Sequence, residues 1–153
     1  MHRHTYFSAS SLVLIALSGA LFLGCAKKDS SYNETTTEVS PLAAYAGDWM
    51  TEAYTAASDE PAVVVLIKGT DSAEGWTMKF ADMDEPIGLQ VSVVGDSLVT
   101  RSASYPSALR EGRTVTSVTS YFSVNGDQMS GRFHAAYDDG ETLKGRMASE
   151  RVK

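Results

Sequence analysis

Apolar and polar residues alternate along most of the chain from residue 47 to residue 152, and Gly, Asp and Asn interrupt the alternation at intervals. Trp76, Met78 and Phe80 point one way while Thr77, Lys79 and Ala81 point the other. Ile87, Leu89, Val91 and Val93 repeat the pattern against Gly88, Gln90 and Ser92. A period of two sends successive side chains to opposite faces, the mark of a half-buried strand. Gly95-Asp96, Asn125-Gly126-Asp127 and Asp138-Asp139-Gly140 stand between such runs. Gly and Asn supply the positive φ that tight hairpin turns demand. The pattern predicts eight strands, at 48–57, 61–69, 74–82, 86–94, 97–103, 113–125, 128–137 and 141–152.

Other stretches refine this picture. Residues 40–47 read as a short helix, with Ser40 as N-cap, Pro41 at the first helical position and Gly47 as terminator; Leu42 and Tyr45 would cover one end of the sheet. Six apolar residues in a row, 62–67, predict a second strand buried on both faces beneath that helix. The short hop at 70–75 makes the strands on either side antiparallel neighbours. In the strand at 113–125, Val118, Phe122 and Val124 lie on one side, with Val115, Tyr121 and several hydroxyls on the other. That mixture suits a semi-polar barrel interior or the edge of a sandwich. Met129, Phe133 and Tyr137, with Gly131 and Ala135 between them, define one inner face, and Leu143 with Met147 the next. Small residues alternating with large ones fit the taper of a small closed barrel. The expected fold is all-β, an eight-stranded antiparallel up-and-down barrel preceded by a short helix; the alternative is a small antiparallel β-sandwich.

Upstream of the strands the character of the chain changes twice. His2, Arg3 and His4 precede an apolar stretch, 12–23, that ends at Gly24-Cys25. Twelve helical residues rise about 18 Å, well short of the roughly 30 Å of hydrocarbon in a bilayer. The segment 1–24 therefore reads as a signal peptide. Leu21-Phe22-Leu23-Gly24-Cys25 resembles the lipobox of bacterial lipoproteins, in which a small residue precedes a cysteine that is lipidated and becomes the mature N-terminus. The resemblance implies lipidation of Cys25 and, with Ala26 following it, the outer membrane in preference to the inner. Two or three acyl chains, at about 0.8 kcal/mol per buried methylene, make a stable anchor. Residues 25–40, rich in Ser, Thr, Asp, Glu and Asn, have little to bury and read as a flexible tether reaching about 20 Å. The barrel domain then occupies 41–153.

Gly47-Asp48-Trp49 opens the first strand after the short helical turn, and a late arginine lies in the last strand. A helical turn, Gly-x-Trp and an antiparallel meander with a late arginine are together similar to the calycin superfamily of lipocalins, fatty-acid-binding proteins and avidins. The resemblance implies that Trp49 crosses the bottom of a barrel and that Arg151, or Arg146, packs over it, with Gly47 serving the same structural corner. It also implies a small apolar ligand inside. Trp76, Phe80 and Phe133 are the inward aromatics that would line such a site. Tyr105 and Arg110, on the long connection 104–112, would close its mouth, or else mark a corner where the chain changes sheet.

Charge and composition narrow the chemistry. The formal net charge of −6, with no basic run beyond Lys27-Lys28, argues against a nucleic-acid partner. A single cysteine excludes an internal disulfide and a cysteine zinc cage. Asp82, Asp84 and Glu85 form an acidic cluster whose spacing is not that of an EF-hand, and a solvated turn is the expected role. His134 faces away from the apolar set and reads as a surface residue. Neither a GxSxG elbow nor an HExxH motif is present, so no catalytic residues, metal site or cofactor are assigned. Two functions are expected on these grounds: an envelope lipoprotein holding a small hydrophobic ligand, or a non-enzymatic envelope module with a filled core that acts on another envelope protein.

Overall fold

The alternation becomes a ladder of nine strands in the computed structural model, which describes residues 39–153. The expected leader, Cys25 and nearly all of the expected tether fall at 1–38, outside the described residues. The strands are β1 (Gly47–Thr55), β2 (Val63–Gly69), β3 (Thr77–Phe80), β4 (Ile87–Val94), β5 (Ser97–Ser102), β6 (Tyr105–Pro106), β7 (Thr114–Asn125), β8 (Gln128–Tyr137) and β9 (Thr142–Arg151). All pairings are antiparallel. From β1 to β5 each strand pairs with the next, as do β7, β8 and β9. Two further seams close the ring: β9 returns to β1, with Trp49 opposite Arg151, and β5 pairs with β7, with Thr100 opposite Ser120. The two-residue β6 lies against the start of β7. The result is a closed eight-stranded up-and-down barrel, not a sandwich. Closure removes the unpaired edges that an open sheet would leave to aggregate.

Inward positions follow the alternation closely. Trp76, Met78, Phe80, Ile87, Leu89, Met129, Phe133, Ala135 and Tyr137 are buried, while Lys79, Gln90, Ser92 and His134 are exposed. Three expectations are corrected. Residues 41–45 form successive turns instead of a helix, held by backbone hydrogen bonds from Ala43 to Ser40, from Tyr45 to Leu42 and from Ala46 to Leu42. One turn's worth of bonds is too few to offset the cost of helix nucleation. Strand β2 is not buried on both faces: Val65 and Ile67 point in, but Val64 is 42% exposed and Leu66 half-buried, because no element covers its outer side. Val115 joins Val118, Ser120 and Phe122 on the inside, since a bulge between Val115 and Ser117 shifts the register by one residue. A bulge of that kind resets the period of two.

One end of the barrel is sealed by side chains. Trp49 is wholly buried, and its indole N–H donates to the Tyr45 carbonyl at 2.8 Å. The Arg151 guanidinium lies 4.1 Å from the centre of the Trp49 ring; it donates to the Ala46 and Ala44 carbonyls and pairs with Asp127 at 3.3 Å. The Tyr45 hydroxyl donates across to the Asp96 carbonyl in the β4–β5 turn at 2.9 Å. Gly47 makes this corner possible. Its φ is 122°, and a Cβ there would stand 2.5 Å from Arg151 Nη1. The core, both closing seams and this cap are all made within residues 42–151, so the barrel carries its own means of folding.

Candidate functional site

The interior has two halves. Toward the sealed end Trp49, Trp76, Leu98, Phe122 and Met129, the largest fully buried side chains, pack solidly, and the buried hydroxyls of Thr51 and Ser149 bond each other at 2.8 Å across the β1–β9 seam. Toward the other end lies a cavity of about 70 Å³. Its wall is mainly apolar, including Val65, Ile67, Phe80, Leu89, Phe133 and Met147, and it is dotted with the hydroxyls of Thr100, Ser102, Ser120, Tyr105 and Tyr137.

The connection between β5 and β7 covers this cavity. β6 presses Tyr105 inward, where its ring centre lies 5.4 Å from that of Phe80. After it, Ser107 Oγ accepts the backbone N–H groups of Leu109 and Arg110 at 3.2 and 3.0 Å, and the Ser107 N–H donates to the Arg113 carbonyl. This tight turn brings Ala108 and Leu109 over the cavity. Arg110 ties the loop to the β8–β9 hairpin by pairing with Glu141 and by lying 4.3 Å over the Tyr137 ring. The neighbouring Arg113 pairs with Asp138 and Asp139 of the same hairpin.

Of the five residues proposed to bind a ligand, Phe80, Tyr105 and Phe133 line the cavity and two do not. Trp76 sits nearer the sealed end, packed over Gly69, with its indole N–H donating to the Ser72 carbonyl at 2.8 Å. Arg110 stays outside, engaged with Glu141 and Tyr137. The alternation had placed Trp76 on the inner face correctly, but it could not say at what height. The structural trio Gly47, Trp49 and Arg151 is brought together, whereas Arg146 projects outward and stacks 3.9 Å over Tyr54. The interior hydroxyls of Thr100, Ser102 and Ser120 were missed. Their only signal was an inward parity in strands that looked amphipathic on both faces.

Two phenols line the cavity: Tyr105 and Tyr137 are 9% and 4% exposed, and among the described residues no fully buried side-chain nitrogen or oxygen lacks a hydrogen-bond partner. Burial pushes the Tyr105 phenol above its ordinary value, and the neighbouring Tyr137 adds to the rise. The Tyr105 phenol is therefore a neutral donor at physiological pH. Among the described residues no cluster of three or more His, Cys, Asp or Glu side chains is placed to hold a metal ion.

Fold and site together define a small closed β-barrel, capped at one end and holding a narrow apolar interior with a few hydroxyls. No protein family model, curated protein or solved structure matches the chain.

Proposed function

We propose that this protein is a non-enzymatic lipoprotein of the bacterial cell envelope, anchored through Cys25, in the outer membrane in preference to the inner, with a calycin-like barrel that works through its outer surface. The anchor rests on the apolar stretch 12–23 ending at Gly24-Cys25 and on the polar segment behind it. The observation that carries the choice between a ligand carrier and a filled barrel is the interior volume. About 70 Å³ is half of the roughly 150 Å³ that accommodates benzene, and far below the about 300–1,000 Å³ of ordinary ligand pockets. Eight strands enclose a space that side chains alone can fill.

A second reading has its own support. Tyr105 and Tyr137 line an otherwise mainly apolar wall, which suits a very small ligand with one hydrogen-bond acceptor.

Two measurements test these readings. Labelled fatty acid should enter the wild type and not Cys25→Ser, and the variant should leave the membrane fraction; an unlabelled wild type refutes the anchor. Native mass spectrometry of protein purified from its host should give the bare polypeptide plus lipid anchor. A retained small molecule would overturn the filled barrel in favour of the second reading.

A further inference from the structure

Register across the seams assembles a charge pattern on the outer wall that is scattered in the chain. Arg146 of β9 stands directly opposite Arg132 of β8, and the next outward pair is Lys144 opposite His134. His134 in turn faces Thr119 of β7, and Thr119 faces Arg101 of β5. Directly opposed residues have Cα atoms about 5 Å apart, and successive outward residues lie about 7 Å apart along a strand. Three cationic side chains, Arg132, Lys144 and Arg146, and the only described histidine therefore share one small area of a protein whose net charge is −6, with Arg101 two strands further round the barrel from β8.

Like charges placed directly opposite destabilise a sheet, and this wall does little to relieve them. Arg101, Arg132 and Lys144 have no carboxylate at ion-pair distance among the described residues. Arg146 has only Asp59, at 3.8 Å and fully exposed, a pair that water screens. The acids of the β8–β9 hairpin are matched by Arg110 and Arg113. The other acids on this wall, Glu52 and Glu150, lie in the rows nearer the sealed end. Tyr121 of β7, 50% exposed, stands beside Arg132, while Tyr54 of β1 is covered by Arg146 and donates its hydroxyl to Glu52.

We infer that the outer wall of β9 and β8 is a docking surface for a bilayer rich in anionic headgroups, with Arg132, Lys144 and Arg146 as the contacts. The inference rests on the anchored reading above and names the surface that the barrel meets. A membrane suits the wall better than an acidic polypeptide does, for two reasons. A half-exposed ring such as Tyr121 at the rim of a cationic area belongs at the headgroup layer, where one end is apolar and the other wet. The tether expected from the composition of residues 25–40 would make the encounter effectively intramolecular, so a few charges suffice. The row of acids toward the sealed end tips the half of the wall farther from that end toward the lipid.

The test uses the unlipidated chain from Ala26 onward, which retains the whole barrel, so that its outcome does not depend on the anchor. Co-sedimentation at low ionic strength should show binding to phosphatidylcholine vesicles containing phosphatidylglycerol, none to phosphatidylcholine alone, and release by salt. Each cation near an anionic surface contributes roughly fivefold. The triple variant Arg132→Gln, Lys144→Gln, Arg146→Gln should therefore bind about 100-fold more weakly, while keeping or raising its melting temperature. Lys79→Gln, on β3, four strands from β8 in either direction round the barrel, should bind as the wild type does. Equal binding to both kinds of vesicle, unchanged affinity in the triple variant, or a lowered melting temperature would overturn the inference. Tighter binding to polyglutamate than to the anionic vesicles would also overturn it and point to an acidic protein. Failure in any of these ways leaves the fatty-acid test of Cys25 untouched.

Discussion

Replacing Trp49 by alanine probes the sealed end of the barrel most directly. The ring is wholly buried, and a buried tryptophan removes roughly 200 Å² from water; at about 25 cal/mol per Å² this is ~5 kcal/mol, an upper bound. Large-to-small substitutions of this kind cost about 3–5 kcal/mol. Two further losses accompany it here: the Tyr45 carbonyl loses its indole donor, and Arg151 loses the ring it lies over. Small domains are stable by only about 5–15 kcal/mol, so the variant should be close to unfolding at room temperature. Urea denaturation followed by far-UV circular dichroism gives the number, with an unchanged slope showing that stability alone has moved. A double-mutant cycle with Arg151→Gln then isolates the coupling, expected at about 0.5–2 kcal/mol for a largely desolvated cation over an indole. Arg151 also holds two carbonyls and Asp127, so the single arginine variant alone would overstate the stacking. A cost below about 1 kcal/mol for Trp49→Ala would refute the packing described for this end.

Gly145→Ala should cost at least about 2 kcal/mol, since a Cβ there meets the Tyr54 carbonyl oxygen across the β1–β9 seam and the Phe133 ring of β8, whereas Gly88→Ala, with open space around it, should stay within about 0.5 kcal/mol of the wild type; equal effects in chemical denaturation would show that Gly145 is not so tightly packed. Phe133→Ala should destabilise the protein by about 3–5 kcal/mol and enlarge the cavity toward benzene-binding size, so benzene should raise the melting temperature of the variant and leave that of the wild type unchanged; a rise in the wild type would show that the barrel is not filled. The raised Tyr105 phenol, against an unfolded value of 10.0, makes a pH prediction. Its contribution to stability is complete below pH 10.0 and is lost as pH rises from there toward the folded value, because only the unfolded phenol ionises readily. Melting temperatures measured across this range should fall less steeply for Tyr105→Phe than for the wild type, and parallel curves would contradict the burial of the hydroxyl.

The local pattern was enough to determine eight of the nine strands, the turns between hairpins and most of the inward residues. A period of two is a property of neighbouring residues, and each strand carries it whatever it pairs with. That is why Met78, Phe80, Phe133 and Tyr137 could be placed inside from the chain alone; Gly47, Trp49 and Arg151 were marked not by the period but by the resemblance of Gly-x-Trp and a late arginine to calycins. Other features exist only when distant segments meet. The β5–β7 seam converts a ribbon into a barrel, a bulge near Thr116 turns Val115 inward, and the height of each residue in the barrel separates Trp76 from the cavity. Register is likewise a relation between strands, so the opposition of Arg132 to Arg146 and of His134 to Lys144 cannot be read from any one of them. The size of the cavity was decided last of all, because it is the small volume left over when twenty or so side chains from every strand have been packed into one closed ring.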